Sequence, residues 1–146
     1  MDETVLRLKT PEECERYMKN VQKKWPDLAL EARRRGVELR AAAYGAKTAA
    51  EREALQAVYA YEEVLSAKRG RRTRAARTWQ MIKRHGIIGA VERAVNRKEE
   101  TIGYTALIEM NMQDFAFEAV IVRYPEVFSP ETVNRAKARL AELTRT

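Results

Sequence analysis

Apolar residues recur along most of the chain at the three- and four-residue spacing of amphipathic helices. Two such patterns follow one another between positions 11 and 44. They are separated at Trp25-Pro26, because the residue before a proline avoids helical dihedral angles. A third pattern opens at the capping sequence Thr48-Ala49-Ala50-Glu51 and ends at Gly70, a residue suited to a left-handed C-cap. No useful length of alternating apolar and polar residues indicates a strand, so the sequence predicts an all-α protein.

The second half of the chain predicts shorter helices, beginning with one from about Thr73 to His85 and one from about Ile88 to Asn96. The stretch from Ile102 to Tyr124 is the most apolar and is expected to form the core of this half, and Ser129-Pro130 opens a last helix. We expect a compact bundle of seven to eight helices in one domain, 1–146, with two subdomains divided after residue 70 as a variant of that plan.

Within the N-terminal part, a helical hairpin is expected. The helices at 26–44 and 49–69 are joined by a short turn, which is typical of antiparallel neighbours. Gly36 lies inside the first of them, where close helix contact is one reason for a glycine.

Composition places the protein in a reducing compartment. Hydrophobic residues make up 45% of the chain, which excludes the disordered class. Cys14 is the single cysteine, so no disulfide forms within one chain. The N-terminal sequence MDETVLRLKT lacks the apolar region of a secretory signal, and the apolar runs are too short to cross a bilayer. We therefore expect a cytoplasmic protein.

The net charge of +7 is concentrated in one stretch of 28 residues, from Val64 to Val91, which we call the basic segment. It contains eight cations and neither Asp nor Glu, so the rest of the chain sums to 7 − 8 = −1. A local block of charge indicates a local partner, whereas uniform charge indicates only solubility. The eight cations are Lys68, Arg69, Arg71, Arg72, Arg74, Arg77, Lys83 and Arg84.

The spacing of these residues favours nucleic acid as the partner. Arg77, Gln80 and Arg84 share one helical stripe, and Arg and Gln make bidentate contacts to guanine and adenine. The opposite stripe, Ala75, Trp79 and Ile82, is expected to anchor the helix to the core. The sequence predicts a non-enzymatic nucleic-acid-binding protein, with double-stranded DNA favoured over RNA and no cofactor or metal. The candidate binding residues are the eight cations with Gln80 and His85.

Three other interpretations remain open. The region from Thr78 to about Val95 resembles a helix-turn-helix, with Gly86 at the turn. The same cations also fit a helical adaptor or inhibitor that docks on an acidic protein. A metal-dependent nuclease would need a carboxylate cluster, for which Glu62-Glu63, Glu109, Asp114 and Glu118 are the candidates, although Asp114 also fits a helix N-cap. The oligomeric state is not indicated.

Overall fold

The computed structural model describes residues 2–97 and 102–143. Within these ranges the chain forms eight α-helices, one 3₁₀ turn and no β-strand, which confirms the predicted all-α class. None of these helices is long and apolar enough to cross a bilayer. The elements are α1 (Glu3–Leu6), α2 (Pro11–Val21), α3 (Pro26–Tyr44), α4 (Ala49–Arg69), α5 (Ala76–Asn96), α6 (Ile102–Glu109), the 3₁₀ turn (Gln113–Phe115), α7 (Phe117–Arg123) and α8 (Pro130–Leu143).

Local capping signals begin and end the longer helices. The Thr48 hydroxyl accepts a hydrogen bond from the backbone N–H of Glu51, whose carboxylate accepts from the N–H of Thr48, so the predicted capping box is present. Gly70 ends α4 with φ 70°, in the left-handed region. The short helix α1 was not predicted; its N-terminus is capped by Asp2, which accepts from the N–H of Thr4.

The chain divides into two compact units between Ala46 and Lys47. In the first unit α2 packs along α3, with Met18 buried against Ala29 and Ala32. The packed helix pair of this unit is α2 and α3. The predicted hairpin of the helices at 26–44 and 49–69 spans both units and stays a prediction. The helix α4 belongs to the second unit, so the division suggested after residue 70 falls inside that unit.

Gly36 lies where α3 approaches α2. A Cβ added there would stand 3.5 Å from the Cβ of Cys14, an ordinary van der Waals contact. Glycine in a helix costs about 0.5–1 kcal/mol relative to alanine. We therefore expect Gly36→Ala to raise the free energy of unfolding by about that amount, measured by urea denaturation. A decrease would mean that the two helices cannot accept the added methyl group.

The core of the second unit draws on helices from both ends of its sequence. Ala54 of α4, Val91 of α5, Ile121 of α7 and Phe128 are buried together with Val133 of α8. The stretch predicted to be the core also contributes the following buried residues: Tyr104, Ala106, Leu107, Met112, Phe115, Ala116 and Val120. The helix α4 packs against α5, α6 and α7, so it is the central helix of this unit.

Charged side chains of α8 hold the C-terminal end of α5. Arg135 donates to the backbone carbonyl of Asn96 at 2.8 Å, and Arg139 donates to that of Arg97 at 2.8 Å. Arg139 also pairs with the buried carboxylate of Glu118 at 3.3 Å. Cations at a helix C-terminus satisfy carbonyls that lack an intrahelical partner, so α8 fixes this end of α5 in place.

Candidate nucleic-acid interface

The helix that carries most of the basic segment is broken at one glycine. Gly86 has φ 78° and ψ 172°, which divides α5 into the ranges 76–85 and 87–96. Only glycine adopts such angles at little cost. The first range begins at Ala76 rather than at Thr73, the predicted start, and residues 70–75 form a connector between α4 and α5.

The first half of α5 has one packed side and one exposed side. Ala75 and Ile82 are buried, and the Trp79 ring lies 5.3 Å from that of Tyr59 at an interplanar angle of 56°. This side is the one that the sequence predicted to anchor the helix. The opposite side is exposed and contains Ala76, Arg77, Gln80, Lys83, Arg84 and His85.

A carboxylate from α4 caps the N-terminus of α5. The N-cap residue Ala75 has no side-chain acceptor. In its place Glu62, only 5% exposed, accepts from the backbone N–H of Ala75 at 2.8 Å and from the indole N–H of Trp79 at 2.6 Å, both at Oε2. Helix N-termini favour negative charge, so this buried carboxylate is stabilised by the helix that it caps.

Two cations of the segment are paired with carboxylates that lie just before it. The guanidinium of Arg72 forms an ion pair with the buried carboxylate of Glu63. Arg74 Nε lies 3.9 Å from Glu62 Oε2, and its guanidinium sits 5.2 Å from the centroid of the Trp79 ring. Arg72 and Arg74 therefore have anionic partners within the fold, and their contact with phosphate stays a prediction.

We call the remaining six cations, taken together, the exposed basic face. Every one is exposed, and among residues 2–97 and 102–143 no carboxylate forms an ion pair with them. The charge that the segment offers to a partner is thus 8 − 2 = +6. The six are Lys68 and Arg69 in the last turn of α4, Arg71 in the connector, and Arg77, Lys83 and Arg84 on α5.

The stripe of Arg77, Gln80 and Arg84 has a length suited to a groove. Seven residues of helix rise about 10.5 Å, which equals about three base-pair steps of 3.4 Å. All three side chains are exposed, as the helical period predicted. His85 is exposed at the end of the same half-helix. The helical spacing places these Arg and Gln side chains on one accessible line, and the cations of α4 and the connector precede it in the sequence.

The structure does not support the helix-turn-helix interpretation. That motif joins its helices by a turn of three to four residues, whereas the two halves of α5 meet at the single residue Gly86. The second half would be the recognition helix, yet Ala90, Val91 and Val95 bury one side of it in the core. Three exposed cations of α5, Arg77, Lys83 and Arg84, lie on the first half, and Arg93 lies on the second.

The other candidate chemistry has structural explanations. Within the described ranges, no group of three or more His, Cys, Asp or Glu residues is placed to hold a metal ion. Asp114 lies in the 3₁₀ turn, and α7 starts without a side-chain cap, so its predicted N-cap role is wrong. Cys14 is 2% exposed, and burial raises the pKa of its thiol, as expected of a core cysteine.

Glu62 and Glu63 hold the connector and the start of α5 in place, and the sequence analysis did not predict this structural role. A signal for Glu62 was present: Leu55, Val58 and Glu62 fall at positions i, i+3 and i+7, on the apolar stripe of α4. A carboxylate on a buried stripe needs a cationic or N–H partner, and the acid-free basic segment begins two residues later.

Comparison of the chain with protein-family models, with curated proteins and with solved structures finds no match. The features that bear on function are the exposed basic face and the two buried carboxylates, Glu62 and Glu63.

Proposed function

We propose that this protein is a non-enzymatic nucleic-acid-binding protein that binds double-stranded DNA through its exposed basic face. The observation that carries the proposal is that six exposed cations remain in an acid-free run of 28 residues after the two internal pairs are set aside. Phosphate neutralisation supplies essentially all of non-specific DNA affinity. The proposal includes a cytoplasmic location and needs neither a metal nor a cofactor.

The residues of the face divide into two roles. The first role is contact with the phosphate backbone, which long side chains at the end of α4 and the start of the connector can reach. These side chains are Lys68, Arg69 and Arg71. The stripe on α5 is the candidate for contact with base edges, because the major groove of B-DNA admits an α-helix. The major groove of A-form RNA is too narrow for this, which favours DNA.

The aromatic residues near the face favour a duplex over a single strand. Proteins that bind single strands without sequence preference stack bases on exposed aromatic rings. Tyr59 and Trp79 instead pack against each other, and the Trp79 N–H is engaged by Glu62. The face therefore offers charge and hydrogen-bond donors rather than a stacking platform.

A salt series on three polymers tests the proposal. Fluorescence anisotropy with a labelled DNA duplex of about 20 base pairs, one of its strands and the matching RNA duplex would be measured between 50 and 200 mM salt. We expect the DNA duplex to bind tightest, with log K falling against log salt at a slope of about −4 to −5, as for about five phosphates. Absence of duplex binding at 50 mM salt, or a slope near zero, would overturn the proposal.

The molecules that copurify with the protein distinguish the adaptor alternative from nucleic-acid binding. If the face docks on an acidic protein, protein purified after nuclease treatment would carry a protein partner. Its affinity for the DNA duplex would then be no higher than its affinity for polyglutamate. If the proposal holds, untreated material carries nucleic acid, seen as a raised 260/280 nm absorbance ratio, and polyglutamate competes poorly.

A further inference from the structure

We infer that Glu62 is a positioning residue for DNA binding: its buried carboxylate fixes how the first half of α5 presents Arg77, Gln80 and Arg84. The inference rests on the proposed function. Glu62 carries the wrong charge to touch a phosphate, and at 5% exposure it is closed off from a ligand. Its effect on binding would come entirely through the helix that it holds.

Glu62 holds α5 at two points. One is the backbone N–H of Ala75, immediately before the helix, and the other is the indole N–H of Trp79, one turn further on. Two points one turn apart fix both the position of the helix end and its rotation about its axis. Trp79 lies opposite the exposed stripe, so holding its indole inward keeps that stripe outward. Rotation by a single residue, about 100°, would turn the stripe away from a bound duplex.

The connector is tied to α4 by further contacts that fix its course. The Ser66 hydroxyl accepts from the backbone N–H of Thr73 at 2.8 Å, and the Thr73 hydroxyl donates to the carbonyl of Arg71 at 2.9 Å. The ion pair between Arg72 of the connector and Glu63 of α4 is another contact between these two elements. These contacts hold the cations at the end of α4 at a set distance from those on α5, which lowers the ordering cost of meeting phosphates in register.

The sign of one measured change separates positioning from simple electrostatics. A carboxylate beneath a cationic face repels phosphate, so electrostatics alone predicts tighter DNA binding when Glu62 loses its charge. Positioning predicts weaker binding when the hydrogen bonds to Ala75 and Trp79 are lost. Glu62→Ala removes both charge and acceptor, whereas Glu62→Gln removes the charge and keeps an oxygen that accepts.

In the experiment, each variant is titrated with the same DNA duplex at about 0.1 M salt. The protein concentration is corrected for the folded fraction, which is measured by circular dichroism. We expect Glu62→Ala to bind about 10- to 60-fold weaker, with a salt slope shallower by about 1 to 2, as if one or two phosphate contacts were lost. Glu62→Gln should keep the wild-type slope and at least the wild-type affinity. A folded Glu62→Ala that matches or exceeds wild-type affinity would overturn the inference.

Two further variants complete the test. Glu53→Ala is the matched control, since Glu53 also lies on α4 and pairs with Arg123 at 2.7 Å, away from the face; its affinity and slope should be unchanged. If Glu62→Ala does not fold, Trp79→Phe removes the N–H donor, replaces the indole by a smaller ring and keeps an aromatic ring at the position that packs against Tyr59. It should bind more weakly with a shallower slope, and unchanged binding would refute the inference. If wild-type protein does not bind the duplex, the proposed function fails and this inference falls with it.

Discussion

Replacing Arg69, Arg71, Arg77 and Arg84 together by glutamine is expected to weaken duplex DNA binding about 10³-fold at 0.1 M salt. At this salt concentration, counterion release makes each phosphate contact worth roughly a factor of eight in binding affinity. Four contacts are therefore worth about 10³- to 10⁴-fold in affinity. All four side chains are exposed, and glutamine has a helix propensity similar to that of arginine. The helical content should therefore match wild type in the same samples used for anisotropy.

A second quadruple variant controls for net charge. Replacing Arg16, Lys23, Lys47 and Lys137 by glutamine gives the same formal charge, 7 − 4 = +3, at exposed positions outside the basic segment. None of these four positions belongs to the exposed basic face, so this variant should lose little affinity if that face binds the DNA. Equal losses in the two variants would mean that overall charge, and not the exposed basic face, drives binding.

The adjacent residues Arg71 and Arg72 are expected to differ sharply in their effect on stability. Arg72→Ala removes the ion pair that Arg72 forms with the carboxylate of Glu63, whose side chain is 8% exposed. Removing one partner of a buried pair costs about 3–5 kcal/mol; because the Arg72 side chain is 33% exposed, we expect about 2–4 kcal/mol. Arg71→Ala removes an exposed side chain and should change the free energy of unfolding by less than about 0.5 kcal/mol.

Urea denaturation followed by circular dichroism measures both changes. The double variant Glu63→Gln with Arg72→Gln should recover part of the loss, because it also removes the buried charge of Glu63. If Arg71→Ala and Arg72→Ala shift the urea midpoint equally, the Arg72–Glu63 pair does not stabilise the fold. In that case Arg72 would return to the set of cations available to a ligand.

Elements whose signals lie within a few residues were predicted well from the sequence. The capping box at Thr48 and the C-cap at Gly70 set both ends of α4 as expected. The start of α5 was misplaced at Thr73 because its cap comes from Glu62, 13 residues earlier and on another helix. The packing of α2 along α3 was not predicted for a related reason: several neighbouring helices are joined by short connections, so connection length does not say which helices pack.

The exposed stripe was predictable because a helical period says which side chains face outward. The pairing of Arg72 and Arg74 was not, because counting charge along a window treats every cation as available. The acids that neutralise them stand at positions 62 and 63, immediately outside the window, and reach the connector only once α4 and α5 are packed. A count of charges along the sequence does not include ion pairs that form between residues of different helices.

The burial of Glu62 and Glu63 has a practical consequence for handling the protein. At about 1 M salt the Debye length is roughly 3 Å, which screens exposed cations, while buried pairs are screened much less. A concentrated salt wash would therefore strip a bound polyanion from the protein and leave the carboxylates that brace the connector in place. If the protein binds nucleic acid as proposed, the same wash would remove that nucleic acid while the protein stays folded.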